Sequence, residues 1–261
     1  MKFSILGIIC MLQLQLGATD SLVCTIAVKP SYFTVDANGM LYYVTASNEI
    51  SRTDTCGNHT ITYSNIANGT PTLIDVGNPL KILAFYKDQQ KVVVLDKTMS
   101  EIAVLSFNNI NGKSYMPSLL CRATGGDHIW LFDEFTQSFV RLDESGNKIA
   151  ASEPIYQIFE KSEVPLWMVD IQDHLYVYTS GGLIYLFDAY GTPGTTFMLN
   201  DAPFSAYRNM FLIKGPTGFS LVNIFTNEVI ALPLPATGDV RLQNDLMYYY
   251  DGDHINVLQF R

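Results

Sequence analysis

The chain has four histidines, three of which follow an aspartate; two of these pairs are Asp127-His128 and Asp173-His174. An imidazole beside a carboxylate can serve acid–base work or hold a metal. Both pairs fall in turns, and the corresponding turns elsewhere carry Gln90-Lys91 and Asn209-Met210. A position open to so many residue types reads more simply as turn chemistry, with the aspartate bonding nearby backbone. The densest acidic cluster is Asp251-Gly252-Asp253-His254. Together with Asp96, Asp133 and Glu134, read as occupying equivalent turns, it would line one end of a ring with hard oxygen ligands of the kind calcium takes. The remaining ligands of an EF-hand-type loop are missing, so a solvated hairpin turn is the simpler reading. No G-x-S-x-G nucleophile elbow, G-x-x-x-x-G-K phosphate loop or C-x-x-C pair occurs. No catalytic residue, metal ligand or cofactor is therefore assigned.

The aromatic residues Tyr115, Phe135, Tyr156 and Tyr190 fall in expected turns or loops. Exposed aromatics anchor protein partners, and Phe135, between Glu134 and Thr136, is the best placed of the four. Asn58-His59-Thr60 and Asn68-Gly69-Thr70 match glycosylation acceptors, a frequent chance pattern.

These residues must be positioned by a repeat of paired strands. His128 to Asp133, a short polar turn, and Ser138 to Asp143 read as strand, turn, strand. Five other stretches follow the same pattern. The apolar residues opening the central strands are Leu41, Val92, Ile129, Leu175, Phe211 and Leu246, spaced on average about 41 residues apart, a period typical of propeller blades. Each follows a turn rich in Asp, Asn, Gln or Gly, which tolerate tight connections. An apolar strand precedes most of these turns (Tyr32 to Val35, Leu80 to Tyr86, Leu119 to Ala123, Leu166 to Ile171, Phe204 to Tyr207, Val240 to Leu242). Another opens after each central strand, near Ile50, Ile102, Phe139, Ile184, Phe219 and Ile255. A weaker fourth strand follows in most repeats, as in Lys148 to Ala151. The expectation is an all-β, six-bladed β-propeller of four-stranded blades. The last repeat lacks a fourth strand, and Leu22 to Val28 is a spare strand able to close it and remove the exposed edge. A two-sheet β-sandwich is the alternative, but it accounts for neither the six repeats nor the missing strand. Ser64 to Pro79, Asn108 to Pro117 and Glu153 to Pro165 read as long interblade loops, the last with a helical turn over Tyr156 to Glu160. Long loops on a rigid scaffold are where binding usually resides.

Bulk composition agrees with this. Of 261 residues, 48% are hydrophobic and 16% charged, with 15 Tyr and 15 Phe, which favours strands. The net charge of −9 argues against nucleic acid and anionic membrane surfaces as partners. Residues 1–18 read as a secretory signal peptide: Lys2, an apolar run from Phe3 to Leu12, then Gly17-Ala18 before a cut. The run is too short for a transmembrane helix. Residues 19–261 form the expected propeller domain, exported to the periplasm or associated with the outer membrane. The mature chain then carries Cys24, Cys56 and Cys121. An oxidising compartment allows one disulfide and one free thiol, with Cys24–Cys56 a candidate pair near the closing seam; three buried thiols are the alternative.

The run Asp75 to Asp88 with Val92-Val93-Val94-Leu95-Asp96 resembles exported β-propellers of Bacteroidota cell envelopes, some associated with outer-membrane machinery that includes the type IX secretion translocon. The resemblance implies a non-catalytic interaction subunit of an envelope or outer-membrane secretion or assembly complex, with a protein as its partner. It carries over no site residue. From the architecture, the expected partner-binding residues are Asp96, Asp133, Glu134, Phe135, Ser180, Asp251 and Asp253, all placed in turns on one face, beside the long loops after Ser64 and Glu153. The alternative function is a metal-dependent, lactonase-like hydrolase or a carbohydrate-binding propeller. Against it, neither the axial ligand set of gluconolactonase-like propellers nor the Ser-x-Asp-x-Gly-x-x-Trp boxes of sialidases occur.

Overall fold

The computed structural model describes residues 21–159 and 163–260; the expected signal segment lies outside them. Strand β1 (Leu22–Ile26) opens the chain. The first blade is β2 (Tyr32–Val35), β3 (Leu41–Val44), β4 (Ile50–Thr53) and β5 (Ile61–Tyr63). The second is β6 (Leu73–Asp75), β7 (Ile82–Tyr86), β8 (Lys91–Leu95) and β9 (Glu101–Ser106). The third is β10 (Pro117–Arg122), β11 (Ile129–Asp133), β12 (Ser138–Leu142) and β13 (Lys148–Ala151). A one-turn helix α1 (Ile155–Ile158) leads to the fourth blade: β14 (Pro165–Ile171), β15 (His174–Thr179), β16 (Leu183–Phe187) and β17 (Pro193–Met198). The fifth is β18 (Pro203–Tyr207), β19 (Met210–Gly215), β20 (Gly218–Val222) and β21 (Val229–Ala231). The sixth is β22 (Asp239–Gln243), β23 (Leu246–Tyr250), β24 (Ile255–Gln259) and, returning from the start of the chain, β1. The molecule is a six-bladed β-propeller with antiparallel four-stranded blades.

Why the middle strands are apolar on both faces is answered by where the core lies. There is no single core. Six apolar clusters each occupy one seam between neighbouring blades. Every residue of β7, β11 and β12 is buried, because each blade is sandwiched between two others. The outer strands β9, β17 and β21 have one free edge and expose most of their side chains. The turns joining first to second strands use left-handed backbone: Gln172 and Asp173 have φ of 54° and 59°, and Asn244 and Asp245 have 49° and 58°. Positive φ at both central residues of a two-residue hairpin matches the twist of the flanking strands.

The seam between the sixth and first blades is closed twice. β1 pairs antiparallel with β24, Cys24 opposite Val257 and Ile26 opposite Ile255. Cys24 is also disulfide-bonded to Cys56 in the β4–β5 turn, with the two Cα atoms 5.8 Å apart. Among the described residues, Cys121 is free and buried.

The second blade departs from the sequence reading. Its innermost strand is β6, three residues inside the stretch read as the loop Ser64 to Pro79, and Leu80 to Tyr86 belongs to the second strand instead of the first. Every later strand of that blade therefore moves outward by one place. A three-residue strand followed by Gly77 and Pro79 gives too little periodicity to register against its longer neighbour. One consequence bears on function. Asp96 closes the turn between third and fourth strands, on the opposite end of the ring from Asp133, Ser180 and Asp251. Among the described residues, no helix is long and apolar enough to cross a membrane.

Candidate functional site

One end of the ring carries the turns between second and third strands together with the interblade loops. Asp133 ends β11 and is fully buried, at 0% exposure. Its Oδ1 accepts the Met116 N–H at 2.7 Å, and its Oδ2 accepts the Thr136 N–H at 3.1 Å and hydroxyl at 2.7 Å. Asp133 thus works beneath the surface, as a clasp between the loop entering the third blade and the β11–β12 turn. It is not a contact residue. The Glu134 N–H donates to the Met116 carbonyl at 3.0 Å, and the Ile155 N–H donates to the Gln137 carbonyl at 2.7 Å. These bonds bring Met116, Phe135 and Tyr156 to one rim, where they are 40%, 66% and 72% exposed.

The loop carrying Tyr156 is fixed from below. Ile155 and Phe159 are buried, and the Phe159 ring lies 4.3 Å from Tyr185. A helix of one turn can turn only part of its surface inward, which leaves Tyr156 outward. The exposed Val164 and Leu166 continue the apolar rim onto the fourth blade. There the Ser180 N–H donates to the Val164 carbonyl at 2.9 Å and the Ser180 Oγ accepts the Val164 N–H at 3.1 Å. On the sixth blade, Asp251 Oδ1 accepts the Asp253 and His254 N–H groups at 2.9 and 2.8 Å. Those donors hold the Asp251 carboxyl below the usual carboxylate range. Asp253 pairs with Lys29 at 2.6 Å, both side chains exposed. The Asp251–His254 segment is a hairpin turn, as its sequence reads. Tyr115 is buried, and Tyr190 is exposed in the third-to-fourth-strand turn of the fourth blade, on the other end of the ring.

Asp96 belongs to a recurrent device on that other end. Its Oδ1 accepts the Thr98 and Ser100 N–H groups at 2.8 and 2.9 Å. Asp54, Asp143 and Asp188 take the N–H groups two and four residues on in the same way. The carboxyls are lowered accordingly: Asp96 chiefly by the Thr98 hydroxyl and the Ser100 N–H, Asp54 by the Asn58 N–H, Asp143 by the Asn147 side chain and N–H. The sequence signal is an Asp directly after the third strand of the first four blades, in Thr53-Asp54, Leu95-Asp96, Leu142-Asp143 and Phe187-Asp188. His174 likewise serves its turn, with Nδ1 2.9 Å from the Gln172 carbonyl. His128 packs over Gly126, whose φ of 78° suits glycine.

Along the axis runs a cavity of about 680 Å³ lined by all six innermost strands and extending among the first-to-second-strand connections at Gly77, Asn78, Gly126 and Asp127. Sequence reading did not nominate it. Its acidic groups are engaged by the protein. Asp75 accepts the Gly77 N–H at 2.9 Å and the Arg122 N–H at 2.9 Å, and lies 3.7 Å from the Arg122 Nε. Asp170 accepts the Trp130 Nε1–H at 3.1 Å and the Thr124 N–H at 3.2 Å. Asp127 pairs with Lys81 at 2.7 Å and Arg122 at 3.4 Å. Among the described residues, no group of three or more His, Cys, Asp or Glu side chains is placed to hold a metal ion. Arg241 stands apart from these pairs. Its guanidinium carbon lies 5.2 Å from the ring centres of Phe33 and Phe204 and 5.7 Å from that of Tyr32. Burial pushes the Tyr32 phenol up, against the opposing pull of the Arg241 charge. Asp170 leaves one legible trace, a charge inside the otherwise apolar inner strand Pro165–Ile171.

No protein-family model matches the chain, and no curated protein matches it in sequence. Solved structures share its fold. A streptogramin B lyase superposes with a TM-score of 0.60 at 13% identity, covering 90% of this chain and 94% of its own. The Neurospora crassa Pan2 WD40 domain gives 0.58 at 7%, covering 91% and 94%. BamB from Moraxella catarrhalis gives 0.50 at 11%, covering 92% and 86%. Identities this low establish the shared propeller architecture and nothing about chemistry.

Proposed function

We propose that this propeller is a non-catalytic protein-interaction module of the cell envelope, acting in the periplasm or at the outer membrane, with the end of the ring around Phe135 as its docking surface. The observation that carries this reading is the exposed rim of Met116, Phe135, Tyr156, Val164 and Leu166 on a rigid frame. Large exposed apolar groups gathered on one side of a folded domain are costly in water unless something covers them, and aromatic residues dominate such contacts. Glu134, Ser180, Asp251 and Asp253 form the polar surroundings of that surface. Asp96 leaves the set, because it faces the other end. The Cys24–Cys56 disulfide supports export to an oxidising compartment, and the resemblance of the second blade to envelope propellers supports a secretion or assembly complex as the setting.

The test is co-purification from native membranes in mild detergent. Phe135→Ala with Tyr156→Ala should fold with unchanged thermal stability and lose about tenfold or more of the captured partner. Tyr190→Ala, on the opposite end, should capture as the native chain does. Equal capture by the double variant would discard this face.

A further inference from the structure

We infer that the axial cavity binds an organic carboxylate with a flat apolar body, its carboxylate on Arg241 and its body against Tyr32, Trp167 and Phe204. The inference starts from an imbalance among the arginines. Arg122, Arg141 and Arg208 each have a carboxylate within 4 Å. Arg52 bonds the Tyr42 phenol, which in turn bonds Asp36. Arg241 reaches no carboxylate among the described residues; its Nη1 donates to the Val240 carbonyl at 2.8 Å. It lies half-buried on the innermost strand of the sixth blade, over three aromatic rings, and it lines the axial cavity.

A half-buried cation without a counter-ion is costly, and aromatic faces recover only part of that cost. The cavity's own acids do not supply the missing charge. Asp75 is taken by Arg122 and two N–H groups, Asp127 by Lys81 and Arg122, and Asp170 by Thr124 and Trp130. A planar guanidinium accepts a carboxylate in two parallel hydrogen bonds. Tyr32, Trp167 and Phe204, with Leu73 and Leu120, offer the walls that a flat apolar body needs. The volume suits a small molecule or the last residues of a polypeptide. Both sources present the same chemistry: a free aromatic acid, or a chain terminus ending in an aromatic residue.

Binding is measured by calorimetry on the whole chain with indole-3-acetate, with a tetrapeptide ending in Phe, and with the amides of both. One of the free acids should bind with a Kd of about 1 mM or tighter, and its amide about tenfold or more weaker. Tighter binding of the peptide identifies a chain terminus as the source, and tighter binding of the small acid a metabolite. Arg241→Gln should lose about tenfold and Arg241→Lys less, while Arg208→Gln, on the surface, should change nothing. Absence of saturable binding by either acid, or equal binding of acid and amide, overturns the inference. The acid–amide comparison needs no variant, so it stands even if Arg241→Gln does not fold. The cavity is independent of the Phe135 surface: loss of ligand binding with partner capture intact would leave the proposed docking face standing.

Discussion

Removing the Asp133 carboxylate should damage both the fold and the docking rim, although Asp133 itself is buried. The carboxylate takes three donors, two of them backbone N–H groups that belong to different segments. Hydrogen bonds to a charged group contribute about 1.5–3 kcal/mol each, and a buried donor left without an acceptor costs about 1–3 kcal/mol. The three bonds share one acceptor group and so do not sum. Asp133→Ala should therefore cost about 3–5 kcal/mol, against a typical total of about 5–15 kcal/mol for a domain. Urea unfolding followed by fluorescence would measure the loss. Hydrogen exchange gives the local signature: the Met116 and Thr136 amides should exchange faster than those of β15, in the neighbouring blade. Asp133→Asn keeps the shape and one acceptor oxygen but turns an N–H₂ group toward a donor, so it should lose most of the same stability. A cost below about 1 kcal/mol for Asp133→Ala, or unchanged exchange at Met116, would refute the clasp.

Two further outcomes test the frame. Cys56→Ser opens a covalent loop whose ends are separated by 32 residues, worth about 3–4 kcal/mol in the chain-entropy account. Calorimetry should show Tm lower by about 6–16 °C, and a reductant should do the same to the native chain; a change under about 2 °C would mean that β1 stays seated without the bond. The carboxyls of Asp54, Asp96 and Asp143 are lowered by donors present only in the folded chain. Their contribution is complete above the unfolded aspartate value and is lost as pH falls through the folded values, so stability should hold from neutrality to about pH 4 and decline below it. The triple Asn variant should flatten that acid limb, and an unaltered limb would assign it to other groups.

How much of this was legible in the sequence depends on distance along the chain. Patterns confined to one hairpin were readable: strand β11, its turn and β12 show apolar runs, turn residues and length within fourteen residues, and β1 was found because the last repeat lacked a strand. β6 was not readable, since three residues between Gly69 and Gly77 carry no period. Its loss moved Asp96 to the wrong end of the ring. The axial cavity was illegible for a different reason. Tyr32, Trp167, Phe204 and Arg241 come from four blades, and no spacing rule joins them. The clasp of Asp133 escaped because its main partner, the Met116 N–H, is a backbone group, and backbone donors leave no mark on a sequence.

Both ends of the ring use carboxylates to close turns, and they differ in what lies beside those turns. On the end with the recurrent aspartates, carboxylates close turns by accepting the chain's own N–H groups, as Asp96 and Asp143 do. On the Phe135 end, the buried Asp133 carboxylate braces a loop from below, Asp251 closes its own turn, and Met116, Phe135 and Tyr156 reach solvent beside charged groups such as Asp253 and Lys29. Between them the axial carboxylates bond across blades, Asp75 to Arg122 and Asp170 to the Thr124 N–H, and these bonds tie neighbouring blades to one another. Arg241 joins no such pair, yet it occupies the same layer. A residue needed only to hold blades together would be expected to have a carboxylate opposite it, as Arg122 does. Its solitary place between Tyr32 and Phe204 is better explained by a partner from outside the chain than by the architecture.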